Sequence, residues 1–382
     1  MENETDGYGL SAAKEKSRIN PPNVKYLPQK PKHYNPNIGL IGAGGISEYH
    51  LSNYKKMGFN VVAIADVMIS KAMERRDKYY PEAAVYDNYR DLLRRDDIEV
   101  VDITPHPKDR LPIIKEALLA KKHVLSQKPF VLDLKDGREL VALAKSQNVK
   151  LAINQNGRWA PHFSYMKEAI KTGIIGRPIS VDFSLQWDQT WITGNPAFEG
   201  IHHMVLFDFA VHWFDISASF MQGEIPQSIY AANVRYDEQK YLPPALGSVI
   251  INYPQSQVRM AFNAHTTLGE EDVTTIIGTK GTLRSKGPGF NDQPIMEVFT
   301  EEGEVSVQLE GCWFDNGFQG TMGELLCAIE EDREPTNSAE NNLKSLELCF
   351  AALESADKNI VTVPGKIDKL NTEAEKTEKL FN

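Results

Sequence analysis

Four side chains of this 382-residue chain have the types and spacing of a proton-handling site. Lys128 follows the apolar run His123-Val124-Leu125-Ser126-Gln127 and precedes Pro129. A buried strand of a parallel sheet delivers the residue after it to the crevice at the sheet's carboxyl edge, where an ammonium can donate hydrogen bonds to a reacting hydroxyl. Asp208, His212 and Asp215 follow one another at intervals of four and three, so that on a helix all three share one face. A carboxylate beside an imidazole holds it in one tautomer and stabilises its protonated form, as a general base requires. The neighbours Phe207, Phe209, Val211 and Phe214 predict burial of that helix. Each signal also has a plain reading, a surface lysine before a turn and a solvated or internally satisfied helix face.

What must position these groups is a dinucleotide-binding unit. Ile38, Leu40 and Ile41 supply a strand, Gly42-Ala43-Gly44-Gly45-Ile46-Ser47 a turn, Ile46 to Met57 a helix ending near Gly58, and Val61 to Ala65 a second strand closed by Asp66. Gly42 allows the tight turn, Gly44 lets the backbone approach a pyrophosphate, and the helix that opens at Gly45, Ile46 and Ser47 points its amides at the phosphates. Ser47 replaces the usual third glycine and is still small enough for close helix packing. A carboxylate at Asp66 accepts from both ribose hydroxyls and repels a 2′-phosphate, favouring NAD over NADP, a preference that Lys71, Arg75 and Arg76 nearby weaken. Thr104, Pro105 and His106, after the strand Glu99 to Ile103, together with Gln127 and Lys128, complete the expected cofactor contacts.

From Asn37 to about Gln155 apolar strands alternate with helical patterns: Glu99 to Ile103, a helix within Asp109 to Lys121, His123 to Ser126, a helix within Asp136 to Asn148, and Lys150 to Asn154. That alternation predicts an α/β fold with an N-terminal Rossmann, doubly wound parallel sheet over residues 37–155. An extended, proline-bearing arm, residues 1–36, precedes it, either disordered or laid over a neighbouring subunit. Residues 156–365 read as a C-terminal α+β domain. It opens on a helix after Pro161 and a helical stretch at Val205 to Met221, and continues with strands at Ser228 to Tyr236, Gly247 to Tyr253, Gln257 to His265, Asp272 to Ile277, Ile295 to Phe299 and Val305 to Leu309. These predict a large, open, mostly antiparallel sheet, followed by helices at Gly320 to Glu331 and Ser338 to Ala356 and an exposed charged tail, 366–382.

A formal net charge of -10 argues against nucleic acid or an anionic membrane surface as partner and fits a small neutral substrate. Cys312, Cys327 and Cys349 are odd in number and lack metal-ligand spacing, which predicts reduced thiols in the cytoplasm and no metal site. No apolar run has bilayer-spanning length, and the N-terminus lacks the pattern of an export signal.

The motifs occur in the order found in the glucose-fructose oxidoreductase, inositol dehydrogenase and rhizopine catabolism family, Gfo/Idh/MocA, and the chain resembles that family over nearly everything from Asn37 to about Gly365. The resemblance rests on the glycine turn with His50 on its helix, Tyr86 to Leu93, the turn Gln127-Lys128-Pro129, and Asn156-Gly157-Arg158-Trp159-Ala160-Pro161. It continues through Asp208 with His212, Gly278-Thr279-Lys280-Gly281-Thr282-Leu283, and Arg333-Glu334-Pro335. It implies Lys128 as the catalytic lysine, Asp208 and His212 as the acid/base pair of a sugar or cyclitol dehydrogenase, Asn156 and Arg158 at the cleft mouth, and an open sheet that forms dimers or tetramers. Two departures stand out: Gln127 replaces a glutamate, and Ile201-His202-His203-Met204 replaces glycines before the aspartate.

The function expected on these grounds is NAD-dependent oxidation of a secondary hydroxyl of a sugar, glycoside or cyclitol to a ketone by hydride transfer. Lys128, Arg158, Trp187, Asp188, His202, His203 and His212 are the expected substrate contacts, the tryptophan stacking on a sugar ring or aglycone. Core packing is the plain reading of Trp187, and exposed loop histidines that of His202 and His203. Two other functions stay open on sequence: an NAD-dependent glycosidase of the same family, and a non-catalytic dinucleotide-binding sensor.

Overall fold

The computed structural model describes residues 17–201 and 203–370. Its first sheet contains β1 (Asn37–Ile41), β2 (Asn60–Ala65), β3 (Ala84–Tyr86), β4 (Val100–Ile103), β5 (His123–Gln127) and β6 (Leu151–Asn154). All pairings are parallel and the order is β3-β2-β1-β4-β5-β6, so the crevice at the carboxyl ends opens where the order reverses between β1 and β4. Every residue of β4 and β6 is buried, as expected of a sheet covered on both faces. The covering helices are α1 (Ser47–Met57), α2 (Ile69–Tyr79), α3 (Tyr89–Leu93), α4 (Pro107–Leu119) and α5 (Leu134–Gln147). The elements between Asp66 and Glu99 carry almost no apolar period: α2 buries only Ala72 and Arg75, and α3 is five residues capped by the Asn88 side chain.

A 3-10 turn (Asn156–Trp159) leads into α6 (Pro161–Lys171) and the second sheet. Its strands are β7 (Pro178–Gln186), β8 (Ser228–Val234), β9 (Leu246–Asn252), β10 (Gln257–Asn263), β11 (Glu271–Gly278), β12 (Gly281–Gly287), β13 (Ile295–Thr300) and β14 (Glu304–Gln308). They lie in the order β14-β13-β12-β11-β7-β10-β9-β8, antiparallel throughout except β7 with β10. The short α7 (Pro196–Glu199) lies in the loop after β7, and α8 (Val211–Phe220) follows a π-helical turn, Met204–Phe209. Burial alternates residue by residue along β9 and β10, so the sheet has one packed face. Phe163 of α6 and Phe220 of α8 meet Phe183 of β7, and Trp213 of α8 meets Phe262 of β10.

The chain closes with α9 (Trp313–Glu330) and α10 (Ala339–Lys358). Helix α9 starts seven residues before the sequence reading places it, because Gly317, Gly320 and Gly323 interrupt its pattern. Those glycines permit contact: a Cβ on Gly320 would lie 2.1 Å from Trp159 Cγ, one on Gly317 2.8 Å from the Asn156 carbonyl oxygen, and one on Gly323 2.2 Å from the Gln29 carbonyl oxygen. The described part of the arm, residues 17–36, runs over its own chain. Ser17 and Ile19 hydrogen-bond to the backbone of Glu304 at the edge strand β14, the Tyr26 carbonyl accepts from Ser164, and the amides of Lys32, His33 and Tyr34 donate to the Glu330 carboxylate. At the other terminus, Leu134 and Leu132 exchange backbone bonds with Asp368 and Leu370. Residues 1–16 of the expected arm and 371–382 of the expected tail lie outside the described residues.

Candidate active site

The glycine turn has the geometry of a pyrophosphate cradle. Gly42 has φ +97°, and a Cβ there would strike Thr104 Oγ1 at 2.7 Å and Pro105 Cδ at 2.8 Å. A Cβ on Gly44 or Gly45 would meet nothing within 4 Å, so both face open space at the α1 N-terminus. Thr104 ties the end of β4 to the turn through its hydroxyl, 2.6 Å from the Gly42 carbonyl. Ser47 is fully buried, donates to the Gly44 carbonyl at 2.6 Å and accepts from Arg75, which explains a hydroxyl where a glycine is usual. Arg75 also pairs with Glu74 and Glu48. The Asp66 carboxylate accepts from the amides of Ala43 at 2.6 Å and Met68 at 2.8 Å, which fixes it beside the turn where a ribose belongs. His106 is exposed just ahead of α4.

Lys128 emerges from β5 at the crevice. Its Nζ lies 2.7 Å from the Asp208 carbonyl oxygen and 3.5 Å from the Asp208 carboxylate, and both side chains keep about a fifth of their surface exposed, 19% and 21%. The turn carrying Lys128 is held from beneath by Arg110 of α4, fully buried, whose guanidinium donates to the carbonyls of Gln127, Lys128 and Pro129. Burial pulls Arg110 down to about 9, with Asp208 opposing. Sequence reading passed over Arg110, since a lone arginine on a helix carries no local signal.

His212 lies at the start of α8, its ring at right angles to Trp313 with centroids 5.5 Å apart. Burial, with Lys128 adding to it, pushes its imidazole well below the usual histidine range, so it stands neutral. Nδ1 is buried without a hydrogen-bond partner. The expected trio Asp208, His212 and Asp215 is divided between a π-helical turn, in which the Ala210 amide bonds to the Val205 carbonyl five residues back, and α8, and its carboxylates have other partners. Asp208 faces Lys128, no hydrogen bond joins it to His212, and Asp215 is fully buried against Arg158, Ser345 and Asn342.

Several residues expected at the substrate have other partners in the fold. Arg158 is buried, donates Nε and Nη2 to Asp215, and places Nη1 2.6 Å from the Thr336 carbonyl. Trp187 is 5% exposed and packs with Phe209, Trp213 and Phe262, so its plain core reading holds. Asp188 accepts from the Thr190 amide at 2.8 Å and shapes its own loop. His203 lies 2.9 Å from Asp357, near the C-terminal end of α10. His202 lies outside the described residues. Asn156 spends its Oδ1 on the Trp313 indole at 3.0 Å. Gln127, expected on the cofactor, is 7% exposed and turned inward.

Gln127 joins a buried polar network that sequence reading found only in part. His50 of α1 and Asp102 of β4 are both fully buried, with Nδ1 of His50 2.6 Å from Asp102 Oδ2. Tyr54 donates to the same oxygen at 2.7 Å. His50 Nε2 lies 3.1 Å from Gln127 Nε2 and 3.2 Å from Asn154 Nδ2, and Gln127 Oε1 accepts the Lys128 backbone N–H at 2.7 Å.

Residues 36–155 match the model of the Gfo/Idh/MocA oxidoreductase family's NAD-binding Rossmann fold, and residues 163–284 match that of a C-terminal domain of the same family. The chain belongs to the Gfo/Idh/MocA family. This Gfo/Idh/MocA protein is 25% identical over 347 residues to an inositol 2-dehydrogenase of Rhizobium meliloti, covering 85% of this chain and 98% of the relative. A D-apiose dehydrogenase of Paraburkholderia graminis is 24% identical over 341 residues, covering 83% and 86%. Among solved structures, an oxidoreductase from Agrobacterium radiobacter in complex with NAD+, L-tartaric acid and magnesium superimposes with TM-score 0.77 at 21% identity, covering 86% of this chain and 98% of that one. At that identity the superposition speaks to the fold alone. The chain is thus an oxidoreductase-family protein with an NAD-binding Rossmann domain. Among the described residues no cluster has the make-up of a metal site, and no helix is long and apolar enough to cross a membrane.

Proposed function

We propose that this protein oxidises a secondary hydroxyl of a sugar, glycoside or cyclitol to a ketone, with NAD as the electron acceptor. The observation that carries the reading is the meeting of Lys128 and Asp208 at 2.7 Å at the carboxyl end of β5, with a neutral His212 one turn further along. The open faces of Gly44 and Gly45 and the Asp66 carboxylate fit a dinucleotide, which supplies the two-electron acceptor when bound.

The roles divide by charge. Lys128, an ammonium held by the Asp208 carbonyl, donates a hydrogen bond to the hydroxyl oxygen and stabilises the negative charge that grows on it. His212, kept neutral by burial and by Lys128, accepts the hydroxyl proton. Asp208 acts on Lys128, steadying the ammonium through its carbonyl and its carboxylate. The inositol and D-apiose dehydrogenases among the relatives favour a polyhydroxylated substrate. Arg75, occupied by Ser47, Glu48 and Glu74, is no ready partner for a 2′-phosphate, which supports NAD over NADP.

The test is a panel of cyclitols, sugars and glycosides followed by NADH absorbance. On the substrate found, Lys128→Ala and His212→Ala each lose about 100-fold or more in kcat with NAD affinity retained. Near-wild-type turnover in either variant overturns the assignment. A free sugar released without net NADH would point to the glycosidase.

A further inference from the structure

The buried network beneath Lys128 has one consistent set of protons, and it follows from a backbone amide. The Lys128 N–H is a donor, so the Gln127 atom 2.7 Å from it is the carbonyl Oε1 and the amide nitrogen faces His50. His50 Nε2, with the amide nitrogens of Gln127 and Asn154 both aimed at it, is an acceptor. The imidazole is then neutral, with its single proton on Nδ1, shared with Asp102 at 2.6 Å. Burial and Asp102 together push Tyr54 well above the usual phenol range, which keeps it a donor to the same carboxylate.

We propose that Gln127 is a positioning residue: with Asp102 it holds His50 neutral, as the Nδ1–H tautomer, and through its carbonyl it fixes the Lys128 backbone at the site. This rests on Lys128 acting as proposed above. The titratable groups facing His50 are Asp102 from β4 and Tyr54 from α1; β5 and β6 present the amides of Gln127 and Asn154, and α9 presents the Phe318 ring at 4.7 Å. A glutamine suits this surround because it offers a donor to the imidazole and an acceptor to Lys128 at once. A carboxylate in its place offers two acceptors, and its oxygen meets the His50 lone pair unless the imidazole takes a second proton. The departure at Gln127 therefore fixes one tautomer in the scaffold under Lys128.

Imidazole 15N NMR of the protein, with His50→Asn used to assign the signal, tests this without reference to turnover. In the wild type His50 is expected as the neutral Nδ1–H form, whereas in Gln127→Glu, where Nε2 faces an acceptor, that signature is lost. Gln127→Ala should lose about 100-fold in kcat with NAD affinity intact. A wild-type His50 carrying its proton on Nε2 overturns the proposal. So does a Gln127→Glu imidazole spectrum that superimposes on wild type. Retained turnover in Lys128→Ala would instead remove the catalytic reading and leave the NMR result standing.

Discussion

The acidic residue that closes β2 is doubly anchored by the amides of Ala43 and Met68, so its carboxylate is presented at a fixed place beside the glycine turn. A fixed negative charge there discriminates against a 2′-phosphate by repulsion. Asp66→Ala is expected to raise kcat/KM with NADP by about tenfold or more relative to NAD. Steady-state kinetics with both cofactors measure it, and an unchanged ratio would assign the preference elsewhere. The same local logic explains Ser47, whose hydroxyl is used between Gly44 and Arg75.

At the scale of elements, α9 shows how a run that looks unfavourable for a helix is selected by what it touches. In an exposed helix, glycine to alanine stabilises by about 1 kcal/mol. At Gly320 the added methyl would sit 2.1 Å from the buried Trp159 ring, so the sign reverses. Gly320→Ala should destabilise the protein by about 1 to 3 kcal/mol, the range for overpacking a filled core. Denaturant unfolding reads this, and a stabilised variant would show that the contact yields without cost. Helix α9 was expected only from Gly320 because this contact, between residues 161 positions apart, leaves no mark in the local pattern. The π turn before α8 escaped for a related reason: its residues read as continuous helix, and the bond from the Ala210 amide to the Val205 carbonyl exists only in the backbone path.

For the whole molecule, one buried acid couples folding to pH. Asp272 on β11 is 2% exposed, and burial lifts it to about 8, with the Gln293 amide opposing. The unfolded chain ionises this group near pH 4, the folded chain near 8, so the folded state binds the extra proton between those values. Its contribution is full below the unfolded value and declines by about 1.4 kcal/mol per pH unit as pH rises toward the folded one. Asp272→Asn removes that slope. Melting temperatures should show the variant gaining on wild type between about pH 5 and 8 and keeping its advantage above, and parallel curves would mean that the acid is charged in the fold.

The sequence by itself determined what depends on neighbours along the chain. The glycine turn and Asp66 lie within 25 residues and are built by consecutive elements, so their types and spacing specify a dinucleotide unit. Alternating apolar runs specify two sheets of different kinds, and Lys128 is legible because a parallel strand has only one carboxyl end. Tertiary structure alone decided where side chains turn. Arg158 and Trp187 carry chemistry suited to a sugar, yet a buried carboxylate and three aromatic rings claim them first. Arg110, Tyr54 and Asp102 carry no local signal and become part of the site only because α4, α1 and β4 converge on β5. The arm, too, could be placed only by its partners, the β14 edge and the Glu330 carboxylate, some 300 residues away. Local pattern selects elements; desolvation and hydrogen-bond competition between distant residues select which polar groups remain free to act.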